Sequence, residues 1–250
     1  MKATFTIFKR DLKSYFASPI AYIVLVVFLV LSGLFFFLYL QNFVSSQFDP
    51  RFQFLGEKAN LNDLVIRPYF GTISIVLLLM IPVITMRLIA EERKNSTIEL
   101  LFTSPVKVTH IILGKFLASF VLFGVMVVLT AIYMLVLRAY GNPDLGPLLS
   151  AYLGLFLLGG SFLAVGIFSS SLTENQIVAA LISFGILLVF WVVGAVSDAE
   201  NSILGYLSII NHFDNFSKGV LELKDIVYYV SFIFFGLFLT YIMIESERWR

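Results

Sequence analysis

The sequence predicts an all-α, polytopic membrane protein, and three observations carry that prediction. Of its 250 residues, 59 % are hydrophobic and 13 % charged, which leaves too little polar surface to wrap a water-soluble core. Six apolar stretches, at 20–40, 69–89, 111–137, 148–172, 177–197 and 226–244, reach the roughly 20 residues that a helix needs to cross a bilayer. Four of the six hold no ionisable side chain except Tyr, and the other two hold only Arg87 and Lys115, close to one end and long enough to snorkel to the headgroups. The whole chain reads as one transmembrane domain.

Segment 2–18 precedes the first span. Phe5, Phe8, Leu12, Tyr15 and Phe16 recur at helical spacing, while Lys2, Lys9, Arg10 and Lys13 take other positions. This predicts an amphipathic helix in the membrane interface, serving either as a positive anchor or as a lever against a cytoplasmic partner. Ser18-Pro19 ends it, because Pro is accepted in a first helical turn but disfavours helix in the residue before it. The first span has no convincing small-residue cleavage site behind it and reads as a retained helix rather than a signal peptide. Segment 41–68 reads as an outer loop turned by Pro50 and Pro68, with Phe43, Phe48, Phe52 and Phe54 holding it to the membrane or the protein.

Lys and Arg are distributed unevenly when the connecting segments are assigned to alternate sides. Eleven of the 17 fall on the side of both termini and six on the other, which predicts cytoplasmic termini and a cytoplasmic segment between the second and third spans. In that segment, Glu91, Glu92, Arg93 and Lys94 form a polar approach. Ser96 with Glu99 then fits a capping box, so a short helix is expected from about Thr97 to Thr103. Ile98, Leu101 and Phe102 stand at i, i+3 and i+4 as an apolar knob, and Ser104-Pro105 stops the helix. A solvated loop needs no capped helix with an apolar face, so docking to a protein is the preferred reading over a knob resting on lipid.

The fourth and fifth spans are joined by a tight turn on the same side, where Glu174 is either a second contact point or a helix cap. Gly159, Gly160, Ala164 and Gly166 permit close helix approach in the fourth span. Segment 198–225 predicts short outer helices dipping into the interface, with breaks at Gly205 and Gly219.

Much chemistry is excluded. The two histidines, His110 and His212, have no metal-ligand spacing, so no metal site and no catalytic residue is expected. No span contains Asp or Glu, which argues against proton- or ion-driven transport. Gly114-Lys115 lacks the upstream Gly of a phosphate-binding loop, so ATP hydrolysis by this chain is not expected. The charge pattern gives no reason to expect a nucleic-acid partner. A polar path, if one exists, is expected between the second and fifth spans, with Thr72, Ser74, Thr85 and Ser183 either lining it or bonding back to their own helices.

The residues resemble the permease subunits of type 2 ABC exporters. The resemblance rests on Glu91-Glu92-Arg93, Ser96-Thr97-Ile98-Glu99-Leu100-Leu101, Thr103-Ser104-Pro105-Val106 and Gly114-Lys115, and it covers essentially the whole chain. Phe8-Lys9-Arg10-Asp11-Leu12 with Tyr15-Phe16 and Ser18-Pro19, and Leu207-Ser208 with His212-Phe213 and Phe216-Ser217-Lys218-Gly219, resemble the subgroup of gliding-motility and nitrous-oxide-reductase-maturation permeases. The resemblance implies a bacterial or archaeal inner-membrane protein paired with a second copy or a related permease. It also implies two copies of a separate ABC ATPase, which would bind the ATP and Mg, with this chain's coupling helix over Glu91 to Pro105. An alternative keeps the ATPase but makes the chain a scaffold that passes force to a periplasmic or envelope protein.

Overall fold

The computed structural model describes residues 2–47, 60–97, 106–141, 143–196 and 203–248. Its described residues are helical and connecting segments without strands, and six helices are long and apolar enough to cross a membrane. Helix α1 (Lys2–Ala17) breaks at Ser18, and Pro19 opens α2 (Pro19–Gln47), as the Ser-Pro step predicts. A wide π-type turn over Asn62–Ile66 leads into α3 (Arg67–Thr85), followed by the short α4 (Ala90–Lys94) and the long α5 (Val108–Tyr140). The chain continues through α6 (Leu145–Ser171), α7 (Gln176–Val196), the short α8 (Ile203–Leu207) and α9 (Ile209–Ser217), and α10 (Leu223–Arg248).

Three boundaries differ from the sequence reading. Helix α2 runs through Gln47, so the first predicted loop is shorter at its start; Phe43 packs against the core, while Phe48, Pro50, Phe52 and Phe54 lie outside the described residues. Pro68 turns no loop, because it lies where the π-type turn over Asn62–Ile66 passes directly into α3. Gly205 lies inside α8 rather than breaking it; the break falls at Ser208, whose hydroxyl accepts the Asn211 amide at 3.2 Å and caps α9. Gly219 is a true break, with φ +85°, a backbone conformation that glycine adopts without a side-chain clash.

Helices α3 and α6 form the centre. Over their most apolar stretches 67 % and 72 % of residues are buried inside the protein, against 17 % for α7 and for α10, whose outer faces carry exposed Leu, Val and Phe. Helix α2 packs on α3 and α5, α7 packs on α3 and α6, and α10 lies along α6 in the most extensive interhelical contact. The glycines of α6 make this possible: a Cβ at Gly159 would collide with the Phe123 ring of α5, and one at Gly166 with the Thr85 hydroxyl of α3. Gly160 faces Ile233, and Ala164 faces Gly236 of α10. Small residues thus let helices approach where lipid supplies no hydrophobic drive of its own.

Gly166→Val should therefore force α3 away from α6 and lower stability by about 1–3 kcal/mol, the usual cost of overpacking. Thermal unfolding of the detergent-solubilised variant checks this, and an unchanged midpoint would contradict the close packing of Thr85 on Gly166.

Candidate functional site

The end of the bundle that carries both termini holds a charge cluster that the hydropathy profile hides. The Lys115 ammonium lies 2.8 Å from Glu92 and 3.4 Å from Asp11, with only 4 % of its side chain exposed. Arg10 completes the group, its guanidinium 2.8 Å from Asp11 and 3.0 Å from Glu92. Two cations and two carboxylates from α1, α4 and α5 therefore meet at one point. Lys115 does not snorkel, contrary to the sequence expectation, because α1 folds over it and supplies a carboxylate where headgroups were expected. Burial alone would lower the Arg10 pKa, but its bonds to Asp11 and Glu92 and their charges raise it instead, so the cluster holds Arg10 charged.

Helix α1 reaches this position by packing along the start of α5. The Thr4 hydroxyl pairs with His110 at 3.0 Å, and Ile7 fills the space above Gly114, where a Cβ would sit 2.8 Å from its methyl group. This sorts the predicted apolar face of α1 differently. Ile7, Phe8, Leu12 and Tyr15 turn toward the protein, whereas Phe5 and Phe16 remain exposed beside Lys2, Lys9 and Lys13. The expectation treated α1 as a helix on lipid; its own third span competes for the apolar side.

The second span ends at Thr85, four residues before the expected Ile89, and the chain turns over 86–89 into α4. Pro82 lacks the N–H for one helical bond in the last turn of α3. Ser170 at the end of α6 then secures the turn. Its hydroxyl accepts the amides of Ile89 and Ala90, each at 3.0 Å, and donates to the Met86 carbonyl at 2.9 Å. Glu91, Glu92, Arg93 and Lys94, read from sequence as a polar approach, are the helical turn α4 itself. Ser96 has φ 55°, a left-handed end to α4 and not the extended backbone of an N-cap. Thr97 is described, whereas Ile98, Glu99, Leu101, Phe102, Ser104 and Pro105 lie outside the described residues.

A cleft of about 560 Å³ opens here, lined by residues that include Arg10, Asp11, Tyr15, Arg87, Glu91, Glu92 and Lys115. Arg87 lies over the Tyr15 ring, 5.2 Å from its centroid, and bonds the Ser18 hydroxyl at 3.4 Å. Glu174 stands exposed in the α6–α7 turn and is not the cap of α7; Asn175 caps it by accepting the Ile177 amide at 2.9 Å.

Among the residues proposed for a path, Thr72 pairs with the Tyr39 hydroxyl at 2.7 Å and Ser74 donates to the Gly71 carbonyl at 2.6 Å. Thr85 donates to the Ile81 carbonyl at 2.9 Å and packs on α6, while Ser183 is buried with no hydrogen-bond partner among the described residues.

The far end of the bundle is also held by charge. Arg67 donates to Asp214 of α9 through two nitrogens, at 2.8 to 3.1 Å, and Lys218 lies 2.7 Å from the same carboxylate. His212 is buried between Asp225, 2.5 Å from Nδ1, and the Tyr206 carbonyl, 3.0 Å from Nε2, and its ring stacks on Tyr228. The Tyr206 carbonyl can only accept, so Nε2–H is the donor of that bond. Asn215 donates to the other Asp225 oxygen at 2.9 Å. Sequence reasoning missed Asp11, Ser170, Arg67, Asp214 and Asp225 as structural partners; the one available signal was Lys115 itself, a cation in an apolar run that demands a counter-charge.

Two predictions follow from these charges. In a double-mutant cycle of Lys115→Met and Glu92→Gln, each single change should destabilise, by at most about 3–5 kcal/mol, because it leaves the two-cation, two-carboxylate cluster with one net uncompensated charge. The pair should couple by at least about 1 kcal/mol in unfolding measurements, and additive effects would contradict the cluster. Burial alone would raise the Asp214 pKa, but bonds and charge from Lys218 and Arg67 outweigh it and set the group below its usual 3.8. The stabilisation is then complete above that value and is lost as pH falls through the lower folded value. Asp214→Asn should flatten the part of the acid-stability curve below about pH 4, as measured by thermal midpoint against pH.

A comparison with curated proteins finds no significant match. The profile of the family described as ABC-2 family transporter protein matches residues 5–244, which takes in α1 and all six spans. The chain therefore belongs to the ABC-2 transporter family and is a multi-pass membrane permease of the ABC type.

Proposed function

We propose that this chain is the permease subunit of an ATP-driven exporter in a bacterial or archaeal inner membrane, with both termini in the cytoplasm. The observation that supports it best is the Asp11–Lys115–Glu92–Arg10 cluster, built on the buried Lys115 and closed by the half-exposed Arg10. It ties the segment leading to the expected coupling helix onto α1 and α5, while Ser170 ties the same segment to α6. A push on that segment reaches α1 and the two spans α5 and α6 at once, because buried charges resist separation in a low dielectric.

In this reading two copies of a separate ABC ATPase supply ATP and Mg, and seat against Glu91, Arg93, Thr97 and the segment Ile98, Glu99, Leu101, Phe102, Ser104 and Pro105. Glu92 acts inside the chain, through Lys115, and Glu174 is a second contact. A second copy of the chain or a related permease completes the assembly. ATP-driven closure shifts α4 and tilts α3, changing which side of the α3–α7 seam is open.

A second reading, force transmission to an envelope protein, is favoured by the exposed Tyr206, Leu207, Val220, Leu221 and Leu223 at the far end. Substitution of these residues would release such a partner without altering ATP hydrolysis.

The test is an affinity pull-down of the solubilised protein from its native membrane, with ATP hydrolysis assayed on the eluate. Leu101→Asp would bury an unpaired charge at the docking face, costing several kcal/mol, or on the order of a hundredfold or more in affinity. Loss of an ATP-binding subunit with this variant, with the membrane fold intact, supports the reading. Undiminished association would count against docking through this helix.

A further inference from the structure

We propose that the outward face of α1 is a recognition surface for anionic lipid headgroups, and that the charge of the membrane surface thereby holds α1 on the cluster around Lys115. The inference goes beyond the exporter reading, and its first test needs neither an ATPase nor a cargo.

The surface is what remains of α1 once α5 and the charge cluster have taken its inner side. At about 100° per residue, Ile7, Asp11 and Tyr15 mark the face turned to the protein. Lys2, Lys9 and Lys13 fall within about 40° of one another on the opposite side, and all three are exposed. None of them has an ion-pair partner among the described residues, whereas the neighbouring Arg10 is bonded to Asp11 and Glu92. Asp11 is the one acid of α1 and stands about 180° from Lys2. The row of lysines therefore has no counter-charge within its own helix.

The two flanks of that row differ. On one side follow Phe16 and Phe5, 36 % and 65 % exposed, and then the half-buried Leu12 and Phe8. On the other side follow Thr6, Arg10 and Ser14, and the last two line the cleft. In a membrane permease an exposed aromatic flank is covered by lipid and an open, charge-lined cleft by water, so the lysines stand on the boundary between the two. Phe16 fixes that level independently. Its ring meets the ring of Tyr22 edge to face at 6.5 Å, and Tyr22 is exposed in the first turn of α2, where the first span enters the bilayer.

Charge selects the lipid. A zwitterionic surface offers the three lysines no net compensation, whereas an anionic one attracts each of them, worth about fivefold in binding per lysine. The orientation that turns the lysines to the headgroups is also the one in which Asp11 meets Lys115. Rolling α1 onto its Ile7 face would carry Asp11 to the anionic surface and leave Lys115 without one of its two carboxylates. An anionic surface therefore favours the docked position of α1 and, through Arg10 and Glu92, the course of the segment after α3. An acidic protein would satisfy the lysines and leave the aromatic flank uncovered; an anionic bilayer satisfies both.

The chain contains no cysteine, so Phe5→Cys gives a single attachment point for a bimane fluorophore beside the lysine row. The labelled protein is placed in phosphatidylcholine nanodiscs, and quenching is followed as phosphatidylglycerol or phosphatidylcholine, brominated on its acyl chains, replaces the host lipid. Brominated phosphatidylglycerol should reach half-quenching at a mole fraction about fivefold or more below that of brominated phosphatidylcholine. Lys2→Gln, Lys9→Gln and Lys13→Gln together should erase the preference, as should about 1 M KCl, in which the screening length is about 3 Å. In the unlabelled protein, hydrogen exchange across residues 2–17 should slow by about fivefold or more in phosphatidylglycerol. The triple variant should lose that slowing, with exchange in α6 unchanged.

Equal half-quenching by the two lipids, or a preference that survives the triple substitution, overturns the surface. Exchange in α1 that ignores lipid charge overturns the hold on its docked position. Loss of an ATP-binding subunit from the triple variant in neutral detergent would assign the lysines to an acidic protein and overturn the lipid. The Leu101→Asp pull-down is read without these lipids, so failure here is separable from failure of the exporter reading.

Discussion

A lysine inside an apolar helix must be compensated, and the terminal end of this protein is organised by how Lys115 meets that demand. An ammonium removed from water loses several kcal/mol of hydration, which only close counter-charges can offset. Glu92 and Asp11 provide them from elements on either side, and Arg10 neutralises what remains of the carboxylates. The register of α1 along α5 follows, because Thr4 must reach His110 and Ile7 must cover Gly114 when Asp11 reaches Lys115. The course of α4 follows too, since Glu92 can meet Lys115 only if the chain turns sharply after Thr85, as Ser170 allows it to do.

Steric constraint takes over in the middle of the bundle. Gly159 and Gly166 bring α5 and α3 onto α6 at distances that no larger residue permits, so dispersion between closely packed surfaces replaces the hydrophobic effect that lipid removes. Helix α7 and helix α10 are held on one side only and leave long apolar faces outward.

At the far end the constraint is again charge and hydrogen bonding. His212 and Asp225 form a buried pair joining α9 to the start of α10, and Arg67 joins the start of α3 to α9. The short helices therefore move with the spans they cap. The start of α3 is thus secured by an ion pair to α9, and the turn after its end by the Ser170 hydroxyl of α6.

By itself, the sequence determined the membrane class, six spans, the Ser18-Pro19 break and the break at Gly219, though not the continuation of α8 through Gly205, because length, hydropathy and local backbone sterics are properties of contiguous residues. It also marked the segment beginning at Glu91 as the part of the chain that differs from everything around it. It did not determine which acid would meet Lys115, since Asp11 and Glu92 lie 104 and 23 positions away and nothing local selects them. It misplaced the apolar face of α1, because Phe8 and Leu12 could meet lipid or protein and only the packing of α5 decides. Roles such as that of Ser170, one of three consecutive serines, arise solely from where the end of α6 stands relative to the turn after α3. Tertiary structure decided these because pairing buried charges and satisfying buried amides are global constraints, met by elements that the fold brings together from distant parts of the chain.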